Sequence, residues 1–447
     1  MEGKKVFVAL FILALAAFSA FLLLRQSPAV LVEDEIFYYF QGEKITGGEF
    51  VWFENTQPYF YQLFLSAFHF MGLDVTAMRF SSAVFMALSA VLLYFFVRKH
   101  FSRRTALLSF FLFTFSIETM KYASLLYTES LFVFLALASF LFYSKFIGQG
   151  KRLDFAVFIA LVSLAFATKT AGFYLLLVYG ADLYRKGLKK EILWLAVPVL
   201  AFAPFIFMGG LKFILEKTVA AGVFSYFDLY YGVFAYGAFF SVLSVLGFFA
   251  KGKKSLELKL LVLGYFLLAV LSIKIIFYRY LFLALPLICA LIAVKFVEVK
   301  NILPKAAMVV LIMLNFAFAL LAASTYSPLG DGNRYFFAKD GCFEVKSFLD
   351  SCSGRTVETP HFSQPSHSEC TYSASFFAGE SLSRVYVSYV SDEIIVEANG
   401  QSVETPRAGV STPVSGTAVF PVGKNSLELW IRNNENIGGF GQVLVCK

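Results

Sequence analysis

The chain is a succession of apolar runs about as long as a bilayer is thick, and this restricts its folding more than any other feature. The first run, Val6 to Leu24, holds no charged residue. The hydrocarbon core of a membrane is about 30 Å thick and takes roughly 20 helical residues to cross. Further runs fall at 75–97, 105–122, 126–147, 192–211, 230–250, 259–277, 280–297 and 305–323. Two shorter ones, at 155–168 and 171–184, read as a broken pair around Lys169. Lys4 and Lys5 precede the first run as they would in a secretory leader. The run is longer than the apolar core of a usual leader, so an anchor is expected. A soluble fold is excluded, because charged residues make up only 15% of the chain and hydrophobic ones 59%. Soluble proteins carry about 25% charged residues.

The formal net charge of +8 does not indicate a nucleic-acid partner, because the lysines and arginines sit in short clusters between the apolar runs. That is the pattern of membrane topology. One set of loops carries twenty of them, from Lys4 and Lys5 through Arg98–Arg104, Lys145–Arg152, Arg185–Lys190 and Lys251–Lys259 to Lys295–Lys305. The alternate loops up to Ala323 carry nine. The richer set belongs in the cytoplasm. The expectation is therefore a polytopic α-helical membrane protein with about eleven transmembrane helices over 1–323. Its N-terminus would be cytoplasmic, its first outer loop would span about 26–74, and its tail, 324–447, would be extracytoplasmic.

The tail differs in kind, with nine basic and thirteen acidic residues. It holds four of the five cysteines, Cys342, Cys352, Cys370 and Cys446. An even number outside the cytoplasm points to up to two disulfides, with three possible pairings. Cys289 lies within an apolar run and is expected to be inert packing. Alternation marks strands at Arg384–Val390, Glu393–Ala398 before the turn Asn399–Gly400, Ser426–Ile431 and Gln442–Cys446. The pattern is similar to galactose-binding-like jelly rolls, either as a sugar-binding module or as a rigid cap. The four histidines are scattered, and no metal-ligand spacing is present.

Chemistry is expected where charges meet the membrane surface. Glu33–Asp34–Glu35 follows the first run directly. Neighbouring carboxylates repel one another, and one placed there can take a proton from an acceptor hydroxyl. The alternative is a solvated acidic loop. Downstream lie Tyr38 and Tyr39, then Gln57–Pro58–Tyr59 and an aromatic segment, 59–72, too short to cross and suited to the interface. Arg79, Glu129, Lys169 and Arg279 sit at run ends on the same side, and Glu118 is ambiguous. Ionisable groups at membrane depth are costly and mark function more often than chance, although some simply snorkel. Two acidic positions and several cations on one face suit a reaction on an anionic lipid.

The order Asp34–Glu35–x–x–Tyr38, Pro58–Tyr59, Gly72, Arg79, Thr128–Glu129, Thr168–Lys169, Arg279–Tyr280–Leu281 and Pro286 resembles the GT-C glycosyltransferases. The likeness is to their protein O-mannosyltransferase and lipid A aminoarabinose transferase group, over roughly 1–298. The resemblance implies single-sugar transfer from a polyprenyl-phosphate sugar, dolichyl or undecaprenyl, with inversion and without metal or other cofactor. The acceptor would be a hydroxyl of a protein, glycan or lipid. It implies that Asp34 is the base or the group that positions the acceptor, with Glu35 beside it. It places Tyr38, Arg79, Glu129, Lys169, Arg279 and Tyr280 about the donor. Gln57 stands where the aminoarabinose transferases carry lysine, which argues against lipid A as acceptor. The Trp-Trp-Asp signature of oligosaccharyltransferases is absent. A lipid-linked-sugar flippase is the alternative. It would call for repeated halves, and none are evident.

Overall fold

A computed structural model of the chain describes residues 2–24, 30–32, 34–48, 59–205, 238–272 and 282–325. In the tail it describes 334–336, 342–344, 347–358, 361–364, 368–375, 384–391, 393–398, 401–404, 414–421, 426–433 and 438–446. Contacts divide the chain into two units, Met1–Arg25 with Tyr38–Tyr326, and Gln26–Phe37 with Ser327–Lys447.

The first unit is helical. Its helices are α1 (Glu2–Leu24), α2 (Asp34–Thr46, beginning in the other unit), α3 (Phe60–Phe70), α4 (Val75–His100) and α5 (Arg103–Thr114). They continue with α6 (Ile117–Ala123), α7 (Thr128–Gln149), α8 (Arg152–Thr168), α9 (Phe173–Arg185), α10 (Lys189–Leu193) and α11 (Ala196–Phe205). The last are α12 (Ala238–Phe248), α13 (Lys253–Ser272), α14 (Leu285–Glu298) and α15 (Ile302–Thr325). Among the described residues, α1 (over Lys5–Leu22), α4 and α7 are long and apolar enough to cross a membrane. α4 is the hub and packs on α1, α5 and α7. Its inward face carries Ala83, Met86, Ala87 and Ala90, all fully buried. Small residues let neighbouring backbones approach closely, which is how helices associate in lipid.

The run at 105–122 is not one helix. It breaks at Phe115–Ser116 into α5 and α6. The Ser116 hydroxyl accepts from the Thr119 N–H at 3.3 Å and donates to the Phe113 carbonyl at 3.1 Å. A serine that caps a new helix offers the backbone an alternative to continuing the old one.

α2 and α3 pack as a hairpin. A Cβ on Gly42 would lie 3.0 Å from the Leu65 Cβ, so only glycine allows this approach without displacement. The Thr46 hydroxyl donates to the Ser66 carbonyl at 3.0 Å. His69 Nε2 lies 3.0 Å from the Tyr39 carbonyl, which can only accept, so Nε2 carries the proton. Burial pushes the Tyr39 phenol up to about 12, with Glu43 and Asp74 adding to it. Burial lowers His69, against the opposing effects of the Tyr39 carbonyl and Glu43. Leu63 and Phe70 on α3 and Met71 at its C-cap remain exposed, Phe70 at 84%.

The second unit is built of strands β1 (Val30–Val32), β2 (Arg334–Phe336), β3 (Cys342–Glu344), β4 (Ser347–Asp350), β5 (Arg355–Glu358), β6 (His361–Gln364) and β7 (Ser368–Ser375). The remaining strands are β8 (Arg384–Ser391), β9 (Glu393–Ala398), β10 (Gln401–Glu404), β11 (Val414–Pro421), β12 (Ser426–Asn433) and β13 (Gly438–Cys446). One sheet has the order β10-β9-β12-β7-β4-β5, and a second runs β11-β8-β13-β3, with β6 also on β13. β12 lies against β13 and β11 against β9 across the two sheets. β1, from the segment after the first helix, pairs antiparallel with β2, so that Leu31 faces Tyr335.

Cys352 and Cys370 are bonded, joining the β4–β5 turn to β7. Asp350 lies beside them, but its carboxylate accepts from the Cys352 N–H at 2.8 Å and the Ser353 hydroxyl at 2.7 Å. With both sulfurs consumed, this cluster clasps a turn and does not offer a metal site. In the ladder of β3 and β13, Cys342 stands directly opposite Cys446. Facing residues of an antiparallel pair are about 4.5–5.5 Å apart at Cα, within disulfide reach. Non-reducing peptide mapping of the purified protein is therefore expected to show Cys352–Cys370 and Cys342–Cys446, with Cys289 as the one alkylatable thiol after unfolding. A Cys342–Cys352 or Cys370–Cys446 peptide would contradict this register.

Candidate active site

α7 and α8 run antiparallel from the turn at Gly150–Lys151. At 1.5 Å per residue, Glu129 on one helix and Lys169 at the end of the other return to the same height within about 5 Å. There Lys169 Nζ donates to Glu129 Oε1 at 2.5 Å, and the two side chains are only 6% and 3% exposed. The Thr128 hydroxyl donates to Glu129 Oε2 at 3.1 Å. Each charge also suits its helix. Glu129 lies in the first turn of α7, where unpaired N–H groups leave partial positive charge. Lys169 is the C-cap of α8, beside the unpaired carbonyls.

The helix ends at Lys169 because its backbone turns extended, with φ −152° and ψ 135°. Thr170–Gly172 then form a short 3-10 turn leading into α9. This turn folds back tightly on α8, and a Cβ on Gly172 would stand 2.7 Å from the Phe166 Cα. The break expected around Lys169 is thus present, and its lysine is drawn inward onto an acid 40 residues away.

An aromatic wall adjoins this pair. Tyr127, the N-cap of α7, meets Tyr38 at 6.4 Å and Tyr122 at 5.6 Å between ring centroids. Tyr38 stands perpendicular to Tyr61 at 5.2 Å, and Tyr122 meets Phe282 at 4.8 Å. The Ser130 hydroxyl donates to the Tyr122 carbonyl at 2.7 Å and so ties α6 to α7. All four tyrosines are buried. Tyrosine rings combine an apolar body with a polar tip, which suits a boundary between apolar and polar surroundings.

The structure therefore brings Tyr38, Glu129 and Lys169 into one neighbourhood. Arg79 is buried on α4 and Glu118 on α6. Asp34 opens α2, and Glu35, its second residue, is fully buried. Arg279 and Tyr280 lie outside the described residues. Sequence reasoning missed Tyr61, Tyr122 and Tyr127 as members of the wall. Only the adjacency of Tyr127 to Thr128–Glu129 could have drawn attention to one of them. A groove of about 500 Å³ between α2 and α3 is lined by Ile45, Thr46, Ser66, Ala67, Phe70 and Met71. Its lining carries no charged side chain.

Residues 56–208 match the family model for dolichyl-phosphate-mannose-protein mannosyltransferase. No curated protein matches the chain. Among solved structures, ArnT from Cupriavidus metallidurans bound to undecaprenyl phosphate superposes with a TM-score of 0.54 at 17% identity, over 71% of this chain and 64% of that one. The apo form of the same protein gives 0.53 at 16%, over 72% and 65%. The chain thus spans just under two thirds of ArnT and shares its GT-C fold. It is a membrane protein by that fold and by its apolar helices.

Removing one partner of a buried ion pair strands the other charge, at a typical cost of about 3–5 kcal/mol. Lys169→Met and Glu129→Gln are each expected to lower the unfolding temperature in detergent. The double variant should lie above Lys169→Met, with a coupling of at least about 1 kcal/mol. Strict additivity of the two would show that the pair is not formed.

Proposed function

We propose that the protein is a glycosyltransferase that moves a single sugar from a polyprenyl-phosphate donor, dolichyl or undecaprenyl, to a hydroxyl on the extracytoplasmic side of the membrane. The observation that carries this reading is the shared fold with a protein whose structure holds undecaprenyl phosphate. The mannosyltransferase family match over 56–208, which contains both Glu129 and Lys169, supports it. On this reading the N-terminus is cytoplasmic, about eleven helices cross the bilayer, and the strand-rich tail is an extracytoplasmic jelly-roll-like domain. The acceptor is a protein, a glycan or a lipid.

The chemistry assigned to each residue follows from charge. Asp34 takes the proton of the acceptor hydroxyl. The freed oxygen attacks the anomeric carbon from the face opposite the phosphate, and the bond from that carbon to the phosphate oxygen breaks. The electron pair leaves with polyprenyl phosphate, and the configuration inverts. Negative charge grows on the phosphate as it departs, so fixed cations nearby lower the barrier. Arg79, Lys169 and Arg279 are assigned that part. Glu129 holds Lys169 in place, Glu35 stands beside the base, and Tyr38 and Tyr280 flank the sugar.

The test is transfer in proteoliposomes loaded with radiolabelled polyprenyl-phosphate mannose or glucose. Wild type is expected to release label to an acceptor. Asp34→Asn should slow release by at least about 100-fold, the usual scale for a lost general base, while binding donor normally. Arg279→Ala should instead weaken donor binding by about tenfold or more, as for a lost charged hydrogen bond. Movement of the lipid-linked sugar across the bilayer without release of label would make the protein a flippase instead.

A further inference from the structure

The segment that carries Asp34 is held by the tail. α1 ends at Leu24 and α2 begins at Asp34. Between them, Val30–Val32 forms β1 and pairs antiparallel with β2, matching Val30 to Phe336, Leu31 to Tyr335 and Val32 to Arg334. The partner strand lies some 300 residues further along the chain. β2 in turn packs beside β8 and β13 of the second sheet. Contacts accordingly group Gln26–Phe37 with Ser327–Lys447.

The geometry points to a positioning role for β2: by adding a strand to the segment before α2, the tail fixes where Asp34 stands. This rests on the proposed transferase reading for its catalytic meaning. Glu33 alone separates the last paired residue, Val32, from Asp34. Two peptide units span at most about 7 Å, so a hydrogen-bonded Val32 leaves the aspartate little freedom. α2 holds Asp34 from its C-terminal side, and β1 fixes the chain on its N-terminal side, so the first turn of the helix is set from both directions. Misplacement of a reacting group by about 1 Å can cost about 100-fold in rate. Strand addition suits this task because its backbone hydrogen bonds set register without requiring particular side chains. The tail is then a working part of the transferase, whether or not it also binds sugar.

Two proline variants break the same ladder from opposite strands, Leu31→Pro in the loop and Tyr335→Pro in the tail. Proline removes a backbone donor and cannot complete a three-residue ladder. In the full-length protein, both should raise amide hydrogen exchange over 30–40 while leaving α4 and α7 protected. Both should slow transfer at least tenfold, with donor affinity within about twofold of wild type. Tyr335→Val, which keeps strand propensity, should restore both. On oxidation, Leu31→Cys/Tyr335→Cys should give a 31–335 disulfide, and Leu31→Cys alone should stay free.

Unchanged exchange in both proline variants, or no 31–335 bond, would overturn the proposal. If Tyr335→Pro fails to fold, Leu31→Pro decides, since it leaves every tail strand intact. If wild type transfers no sugar, the transferase reading fails while exchange and cross-linking still decide whether the tail fixes this segment.

Discussion

The ion pair between Glu129 and Lys169 depends on the helical hairpin that carries it and in turn constrains that hairpin. Two charges this deeply buried survive only when their partners are fixed. Here the fixing is done by the α7–α8 hairpin, by the extended backbone that ends α8, and by the tight return of Gly172 onto Phe166. The helix termini add their partial charges with the right sign on both sides. The aromatic wall meets the same helix start at Tyr127, so a shift of α7 would move the acid and that ring together and strain both the ion pair and the ring contacts.

Much of the helical fold was legible in the sequence because a bilayer leaves few options. Apolar runs of about 20 residues and the skew of Lys and Arg between loops carry the reading directly. The break at Lys169 was visible from the shortness of its two flanking runs. The break at Ser116 was not, because Ser116 and Thr119 look like the small polar residues that transmembrane helices carry routinely. Only local hydrogen bonding turned that serine into a cap. In the tail, β8, β9, β12 and β13 fall on the segments whose alternation marked them.

The site was legible as a set of charges and illegible as an arrangement. Nothing local in Thr168–Lys169–Thr170 tells of an acid 40 residues earlier. The tyrosines of the wall were hidden by abundance, since 23 Tyr and 56 Phe leave no single ring conspicuous. Val30–Leu31–Val32 was passed over for another reason. Three apolar residues after a transmembrane run look like its frayed end, and a strand that short acquires meaning only from its partner. Long-range pairing was the consistent loss, because its determinant lies in the distant segment.

The shortness of α8 has a consequence for the surrounding lipid. Arg152–Thr168 is about 26 Å of helix, a few ångströms less than an average hydrocarbon core. Beside it, α7 is about 33 Å long. A bilayer meeting both must thin locally at one flank or tolerate mismatch, at a fraction of a kcal/mol per ångström. The polar break after α8 thus comes several ångströms sooner along its helix than the end of α7 does. Acyl-chain length is therefore a physical variable for any pair of neighbouring helices of such unequal length, acting through geometry alone.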